Sequence, residues 1–330
     1  MPYFSEKLFF PINKSVRVVA ISTTTFIPRI NINLSGSLDS NGTALPLASG
    51  TPLTSVIARN NPNVVAVTMN SASSVRLGYY STNGGSTFTS HPTSVGFCVG
   101  SAISDDGQFI IFANSSAPAT MYYTYNQGGT WSTKSANNVC GSVCCSSDGS
   151  KVFMSPTSTA YAQGSISTNS MSTLSTVTMP ATGWYGCCMT GDGSRIWAAR
   201  YANVANKLVY YSDNNGSSWT SVVVDSAITS NHAQFIKCSK DGKHLIVGGL
   251  NADVYVSNNS GANWTKRTMS ENVYGLSVNV SSSGRYMVVV STVTNGRFFY
   301  SKDFGATWAS KTISSSTTQF RCIAIEEQTS

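Results

Sequence analysis

The sequence predicts an all-β fold, a β-propeller of four-stranded antiparallel blades, from three observations. First, an aromatic-rich segment recurs with a fixed beat: YYSTNGGSTF from Tyr79, YYTYNQGGTW from Tyr122, YYSDNNGSSW from Tyr210, YVSNNSGANW from Tyr255 and FYSKDFGATW from Phe299. A degenerate copy, SISTNSMSTL, runs from Ser165 to Leu174. The closing residues Phe88, Trp131, Leu174, Trp219, Trp264 and Trp308 follow one another at intervals of 43 to 45 residues, the spacing of a four-stranded blade. Second, a Ser/Asp-Gly turn followed by an apolar run keeps the same beat: SDDGQFIIFA, SSDGSKVFMS, TGDGSRIWAA, SKDGKHLIVG and SSSGRYMVVV. Third, the apolar runs are nearly continuous rather than alternating, as expected for strands covered on both faces.

Each unit therefore reads as an inner strand such as QFIKCS, a turn and a central strand such as HLIVGG. A Tyr-bearing strand, a second polar turn and an outer strand opening at Trp follow. NNPNVVAV from Asn60 serves as the first central-strand copy. Four short strands cannot bury both faces alone, so the unit must repeat.

Blade count follows from the ends. Residues 53–310 hold six repeats. TQFRCIAIEE at 318–327 repeats the inner-strand pattern without a blade of its own. Residues 1–52 contain KSVRVVAIS and RININLSG, both strand-like. The reading is seven blades, the last assembled from 1–52 and 311–330; the alternative is six blades with 1–52 as a docking arm.

Composition narrows the class. Of 330 residues, 41% are hydrophobic and only 11% charged, which excludes a disordered chain. Ser, Thr, Asn and Gly make up the balance, as strands and turns require. No segment approaches a membrane span. The apolar patch Leu8–Ile12 is broken by Pro11 and followed by Lys14 and Arg17, so no secretory leader is read and the compartment stays open. The net charge of +7 is spread along the chain with no basic run, arguing against nucleic acid.

All eight cysteines, Cys98, Cys140, Cys144, Cys145, Cys187, Cys188, Cys238 and Cys322, fall in the inner strand of successive repeats. Doublets on one strand point to opposite faces and lack metal-ligand spacing, so they are expected to be free structural thiols. No cofactor or metal is expected.

The polar turn resembles the Asp-box, or BNR, repeat Ser-x-Asp-x-Gly-x-x-Trp. The matches are Ser81/Asn83/Gly85/Phe88, Thr124/Asn126/Gly128/Trp131, Ser212/Asn214/Gly216/Trp219, Ser257/Asn259/Gly261/Trp264 and Ser301/Asp303/Gly305/Trp308. A short acceptor side chain can bond backbone N–H groups of the turn, Gly permits positive φ, and Trp pins the hairpin to the blade. Asn in place of Asp is expected to keep the acceptor and drop the charge. Proteins with such boxes include sialidases, sortilin-type receptors, photosystem II assembly factors and uncharacterised bacterial and viral repeat proteins. The resemblance implies the fold and leaves function open, because the box is a folding device.

The enzymatic reading implied by the resemblance is a sialidase-like glycosidase, which uses an Arg cluster, a Tyr/Glu pair and an acidic acid/base. Four Glu exist: Glu6, Glu271, Glu326 and Glu327. Asp105, Asp106, Asp148, Asp192, Asp213, Asp241 and Asp303 are assigned to repeat turns, leaving chiefly Asp225, Asp253 and Glu271. The Phe-Arg-Ile-Pro motif is missing, since Phe26-Ile27-Pro28-Arg29 permutes its order. His91, His232 and His244 occupy dissimilar repeat positions, His244 being read in a central strand. A non-enzymatic structural or binding role is therefore expected, with a glycan or protein partner and possible membership of a larger assembly. Its Ser/Thr/Asn-rich, weakly charged surface resembles exposed virion or cell-surface proteins. Trp184, Tyr185, Arg200, Tyr201 and Arg297 are the binding candidates, being aromatic or basic outside the repeat.

Overall fold

The computed structural model describes residues 16–22, 26–32, 38–40, 50–61, 63–71, 76–91, 98–116, 118–156, 162–200, 208–226, 235–248, 253–269, 277–290, 297–312 and 320–327. Among these residues there are strands and turns and no helix, so none is long and apolar enough to cross a membrane.

Six four-stranded antiparallel blades follow one another in sequence, each ordered from inner to outer strand. Their inner strands are Gly50–Ile57 (blade 1), Cys98–Ile103 (blade 2), Cys140–Cys145 (blade 3), Trp184–Met189 (blade 4), Phe235–Cys238 (blade 5) and Val278–Val280 (blade 6). Another four-stranded sheet joins the two ends of the chain. Its inner strand Phe320–Glu327 pairs antiparallel with Val16–Ser22, which pairs with Phe26–Ile32, then Leu38–Ser40. Each inner strand packs beside the next in cyclic order, with Phe320–Glu327 placed between Val278–Val280 and Gly50–Ile57. The ring is thereby closed, and no inner strand is left without a sheet.

The second strands explain why the apolar runs are continuous. Ile110–Asn114, Val152–Pro156, Ile196–Arg200, Leu245–Gly248 and Met287–Val290 are buried at every residue. One face of each meets the preceding blade and the other the following one. The core is accordingly a set of interblade clusters. Ala66, Ile110 and Phe112 fill the joint of blades 1 and 2; Trp197, Leu245 and Tyr255 that of blades 4 and 5; Ile246, Met287 and Phe299 that of blades 5 and 6. Each fully buried aliphatic or aromatic side chain contributes about 1.5–3 kcal/mol.

Two turn types recur at one end of the ring. In blades 2 to 5, between inner and second strand, a Ser or Thr hydroxyl donates to the Asp two residues on and accepts an amide from the start of the second strand. Blade 6 keeps the Ser281 acceptor with Ser283 in place of Asp, and blade 1 turns at Ala58 through a backbone bond. Ser146 Oγ reaches Asp148 Oδ1 at 2.6 Å and accepts Lys151 N at 3.0 Å. Between third and outer strand, Ser257 Oγ accepts Gly261 N at 2.9 Å while donating to Asn259 Oδ1, which accepts Asn263 N.

The other boxes repeat this wiring and correct the sequence reading at three points. Gly85 N, Gly128 N and Gly216 N donate to Ser81 Oγ, Thr124 Oγ1 and Ser212 Oγ at 2.8, 3.1 and 2.8 Å. Asn83, Asn126 and Asn214 accept the amides of Thr87, Thr130 and Ser218 at 2.8 to 2.9 Å, as expected of an Asp substitute. They do more than keep the acceptor, because each Nδ2 also donates to the hydroxyl of that same residue, at 2.7 to 3.0 Å. A carboxylate cannot donate; at Asp303 the Thr307 hydroxyl donates instead. Second, positive φ is not confined to the box glycine: Gln127, Asn215, Ser260 and Phe304, which precede it, adopt φ of 54°, 54°, 56° and 58°. Third, the closing indoles are not equivalent. Trp264 Nε1 and Trp308 Nε1 donate back to the turn-glycine carbonyl at 3.0 and 3.1 Å, whereas Trp131 Nε1 and Trp219 Nε1 make no hydrogen bond among the described residues and hold by ring packing alone.

The copy lacking glycine keeps this geometry. Met171 N donates to Ser167 Oγ at 3.0 Å, with Met171 itself at φ 61°. Its side chain is buried in the joint with blade 2, where Ala113, Ala119 and Ala136 leave it room. At Gly261, by contrast, φ is 79° and a Cβ would enter the ring of Trp197 in the preceding blade.

His244 precedes the central strand Leu245–Gly248 rather than lying within it. It stacks on Phe304, 4.6 Å between ring centroids, and its Nδ1 lies 2.8 Å from Asn258 Oδ1. This imidazole belongs to the joint between blades 5 and 6. His232 lies outside the described residues.

Candidate functional site

The two ends of the ring are built differently, and this follows from strand direction. All inner strands run toward the end where the short repeat turns lie. Connections from second to third strand, and from outer strand to the next inner strand, meet at the other end, the loop end. They vary there from Ala136–Cys140 to Val222–Phe235.

At the turn end, a collar of backbone hydrogen bonds links successive blades. Asn60 N donates to Asp105 O, Asp105 N to Ser147 O, Ser147 N to Gly191 O, Gly191 N to Lys240 O and Lys240 N to Ser282 O, at 2.6 to 3.0 Å. Side chains complete the closure. Lys240 Nζ lies 2.8 Å from Asp105 Oδ2, and Arg59 Nε 3.7 Å from Asp105 Oδ1. The lysine stem passes over Gly191, where a Cβ would stand 2.5 Å from Lys240 Cγ. Asp105 therefore does not serve its own turn, as its sequence neighbourhood suggests. It is nine-tenths buried and bridges two blades across the ring.

The box residues also lie at this end and take no part in either cavity described below. Asn83, Asn126, Asn214 and Asn259 are exposed; the first three spend both ends of their amides on the turn and Asn259 its oxygen, while Gly85, Gly216 and Gly261 are buried beneath them. Their role is to shape the hairpin, not to contact a ligand.

At the loop end the channel opens into a cavity of about 250 Å³ lined by residues in or next to the inner strands, including Thr54, Ser55, Ser142, Tyr185, Lys237 and Ser277. A β-bulge sits here in four successive inner strands, at Pro52/Thr54, Cys98/Gly100, Cys140/Ser142 and Trp184/Gly186. Val99, Gly141 and Tyr185, the extra residues of three bulges, line the cavity, in keeping with the tendency of bulges to re-aim side chains at sites. Deeper in the channel a second cavity of about 110 Å³ is lined by Arg59, Cys144, Cys145, Lys237 and Cys238 among others.

The cysteines behave as the spacing predicts. Cys140, Cys144, Cys145, Cys187, Cys188 and Cys238 are free thiols; the side chains of Cys98 and Cys322 lie outside the described residues. Burial pushes the Cys144 and Cys188 thiols well up, and that of Cys145 up to about 12. They are protonated and unreactive as nucleophiles at neutral pH. No group of three metal-ligating side chains exists among the described residues.

Four of the five binding candidates belong to strands at the loop end, but the structure separates them. Tyr185 is 42% exposed and lines the cavity. Trp184 is wholly buried: its Nε1 donates to Ala181 O at 2.6 Å and its ring packs against Tyr210 and Trp219. Arg200 is buried as well, donating through Nε to Thr182 O at 2.8 Å with its guanidinium over Trp184. Both are corrected from ligand contacts to packing elements of blade 4. Tyr201 lies outside the described residues, as does the side chain of Arg297, which opens the strand Arg297–Ser301.

Of the carboxylates left over from the repeat, Asp225 and Asp253 share the neighbours Tyr255 and Lys266 in blade 5, away from both cavities. Asp253 pairs with Lys266 Nζ at 2.7 Å and accepts from Thr268 Oγ1. Asp213 receives two hydrogen bonds from Arg195. Glu271 lies outside the described residues. Among the described residues neither cavity is lined by an Asp or Glu. Sequence reasoning missed Lys237, Ser55 and Lys240; a lysine inside an otherwise apolar inner strand was the available signal for Lys237.

No protein-family model and no curated protein sequence matches the chain. Solved structures share its fold at low identity. Hydrazine synthase of Kuenenia stuttgartiensis superposes with a TM-score of 0.59 at 12% identity, covering 76% of each chain. YCF48 from Cyanidioschyzon merolae gives 0.58 at 13% identity, over 83% of this chain and 88% of that one. The GH74 xyloglucanase from Xanthomonas campestris gives 0.59 at 12% identity, over 91% of this chain and 47% of that one. The chain thus spans less than half the length of that GH74 enzyme. At these identities the likeness shows a shared β-propeller fold, and a fold alone does not fix a function.

Proposed function

We propose that this chain is a non-enzymatic binding module that recognises a glycan or protein partner through its loop end, as an exposed component of a particle or cell surface. The observation that carries the reading is the asymmetry of the ring. The turn end is uniform and sealed by the Asp105–Lys240 bridge and the backbone collar. The loop end presents the variable connections, the larger cavity and the exposed Tyr185. A rigid scaffold bearing variable loops and a concave mouth with a few polar groups in an apolar lining is how recognition surfaces are built.

A glycosidase needs two carboxylates flanking the scissile bond. Among the described residues neither cavity is lined by an Asp or Glu, which favours binding over hydrolysis. The surface assignment draws support from composition, with 11% charged residues and abundant Ser, Thr and Asn.

A glycan array run beside a pull-down from the native source tests the proposal. Glycan hits or a co-purifying coat or surface protein are expected. Turnover of a sialoside or xyloglucan oligosaccharide would overturn the non-enzymatic reading.

A further inference from the structure

The mouth of the channel carries a feature that recognition by loops alone does not require. Ser55 is buried to 7% exposure, lines the cavity, and its Oγ has no hydrogen-bond partner among the described residues. A buried hydroxyl left unpaired costs about 1–3 kcal/mol, so such a group marks a place where a ligand atom completes the bonding. Lys237 lines both this cavity and the deeper one. Counted back from the turn residue, the equivalent positions of the other described blades are Val56, Ala102, Cys144, Cys188 and Asn279, none of them charged. Lys240, Arg195 and Lys266 each meet a carboxylate. Lys237 meets none among the described residues; around it the mouth cavity contributes hydroxyls and apolar atoms, and the deeper cavity adds thiols, the Asn279 amide and Arg59, which is held near Asp105.

We propose that this cavity binds a single carboxylate borne on a polar molecule of monosaccharide size, with the Lys237 ammonium as charge partner and the Ser55 hydroxyl as a donor. The proposal rests on the binding-module reading and assigns its ligand chemistry. The single Lys237 ammonium balances the one charge of a carboxylate, whereas it leaves part of the roughly −1.5 to −2 charge of a phosphate monoester unmatched. Each inner strand is an edge of its sheet, so its outer backbone groups also face the channel and suit a ligand rich in hydroxyls. Tyr185 at the rim supplies an aromatic face for the sugar ring. The volume, about 250 Å³, admits one such unit rather than a chain, so a longer glycan would enter by its end.

The test uses the full chain with D-glucuronate as probe, D-glucose as its neutral counterpart and inorganic phosphate as a competing anion. Binding is read by saturation-transfer NMR and titration calorimetry. Glucuronate is expected to bind at least about tenfold more tightly than either control, the worth of one charge-assisted contact. Lys237→Met should lose about tenfold and Ser55→Ala several-fold, while near-UV circular dichroism and Tm stay at wild-type values. Lys237→Gln gives a second variant should Met perturb the fold. Equal affinity for glucuronate and glucose, tighter binding of phosphate, or undiminished binding by both Lys237 variants would overturn the proposal. Glycan-array hits that survive Lys237→Met and vanish with Tyr185→Ala would overturn it while leaving the binding-module reading standing.

Discussion

Lys240 Nζ lies 2.8 Å from Asp105 Oδ2, joining residues 135 positions apart in sequence and three inner strands apart around the ring. The contact ties blade 5 to blade 2 directly across the channel. Lys240 is half exposed and Asp105 nearly buried, so the two partners are not equivalent under mutation. Removing the lysine leaves Arg59 near the carboxylate and should cost about 1 kcal/mol. Asp105→Ala leaves two cations facing one another and should cost about 1–3 kcal/mol. Urea titrations of Lys240→Ala and Asp105→Ala should rank in that order; a reversed rank would contradict the bridge.

Gly261→Val should destabilise the ring by about 1–3 kcal/mol, because a β-branched residue would have to adopt positive φ and enter the Trp197 ring. Met171→Gly separates two opposing effects at the equivalent position. Relief of the left-handed backbone contributes about 1–2 kcal/mol, whereas emptying a buried methionine site costs about 2–5 kcal/mol. The second effect is larger, so the glycine variant is expected to melt below wild type despite restoring the consensus turn.

Thiol titration under denaturing conditions, without reductant, should find most of the eight cysteines reactive, including the six described as free. The native protein should react slowly at those six, because their thiols are buried or partly buried and, at Cys144, Cys145 and Cys188, held protonated.

Acid stability should follow the turn carboxylates. The Ser194 amide and the Thr190 hydroxyl hold Asp192 down at about 2. The Ser146 hydroxyl likewise lowers Asp148; at Asp241 and Asp303 burial pushes upward but the turn donors outweigh it. A depressed folded value means stabilisation that is present above the unfolded carboxylate value, about 3.9, and lost as pH falls through the folded one. Unfolding free energy should therefore drop between about pH 4 and pH 2. Asp192→Asn should make that drop shallower, and an unchanged slope would argue against the turn as its source.

Ring closure predicts that both termini matter. Deleting residues 318–330, or trimming 1–30, removes one side of the Val16–Ser22 to Phe320–Glu327 pairing and should lower Tm for the whole protein. Unchanged Tm after the N-terminal trim would mean that residues 1–30 carry no closing role.

What was legible in the sequence was what is local. Ser257, Asn259 and Gly261 complete their turn within five residues, so the motif and the hydrogen bonds coincide. Even there the second bond of Asn83, Asn126 and Asn214 escaped notice, because it depends on the hydroxyl four residues on, a position the consensus leaves open. Phe320–Glu327 announced itself as a strand lacking a partner, and the strand-like Val16–Ser22 answered it. Functional candidates fared differently because a residue outside the repeat has two fates. Trp184 and Arg200 break the pattern to fill blade 4, while Tyr185 breaks it to reach the cavity. Adjacent residues on one strand point to opposite sides, and only the bulge at this place decides which side is the channel. The Asp105–Lys240 bridge had no local trace at all.

The glycine turns also govern how such a ring can change over generations. Gly128 abuts Tyr80, Gly216 abuts Val177, Gly261 abuts Trp197 and Gly305 abuts Val256, each across a blade boundary, while Met171 occupies the alanine-lined recess of blade 2. Blades 2 to 6 are thus each keyed to the one before by a different shape, although their turns share one backbone. A duplicated or shuffled blade would arrive with the wrong key on one side and the wrong lock on the other. Exchange of whole blades is therefore obstructed at these joints.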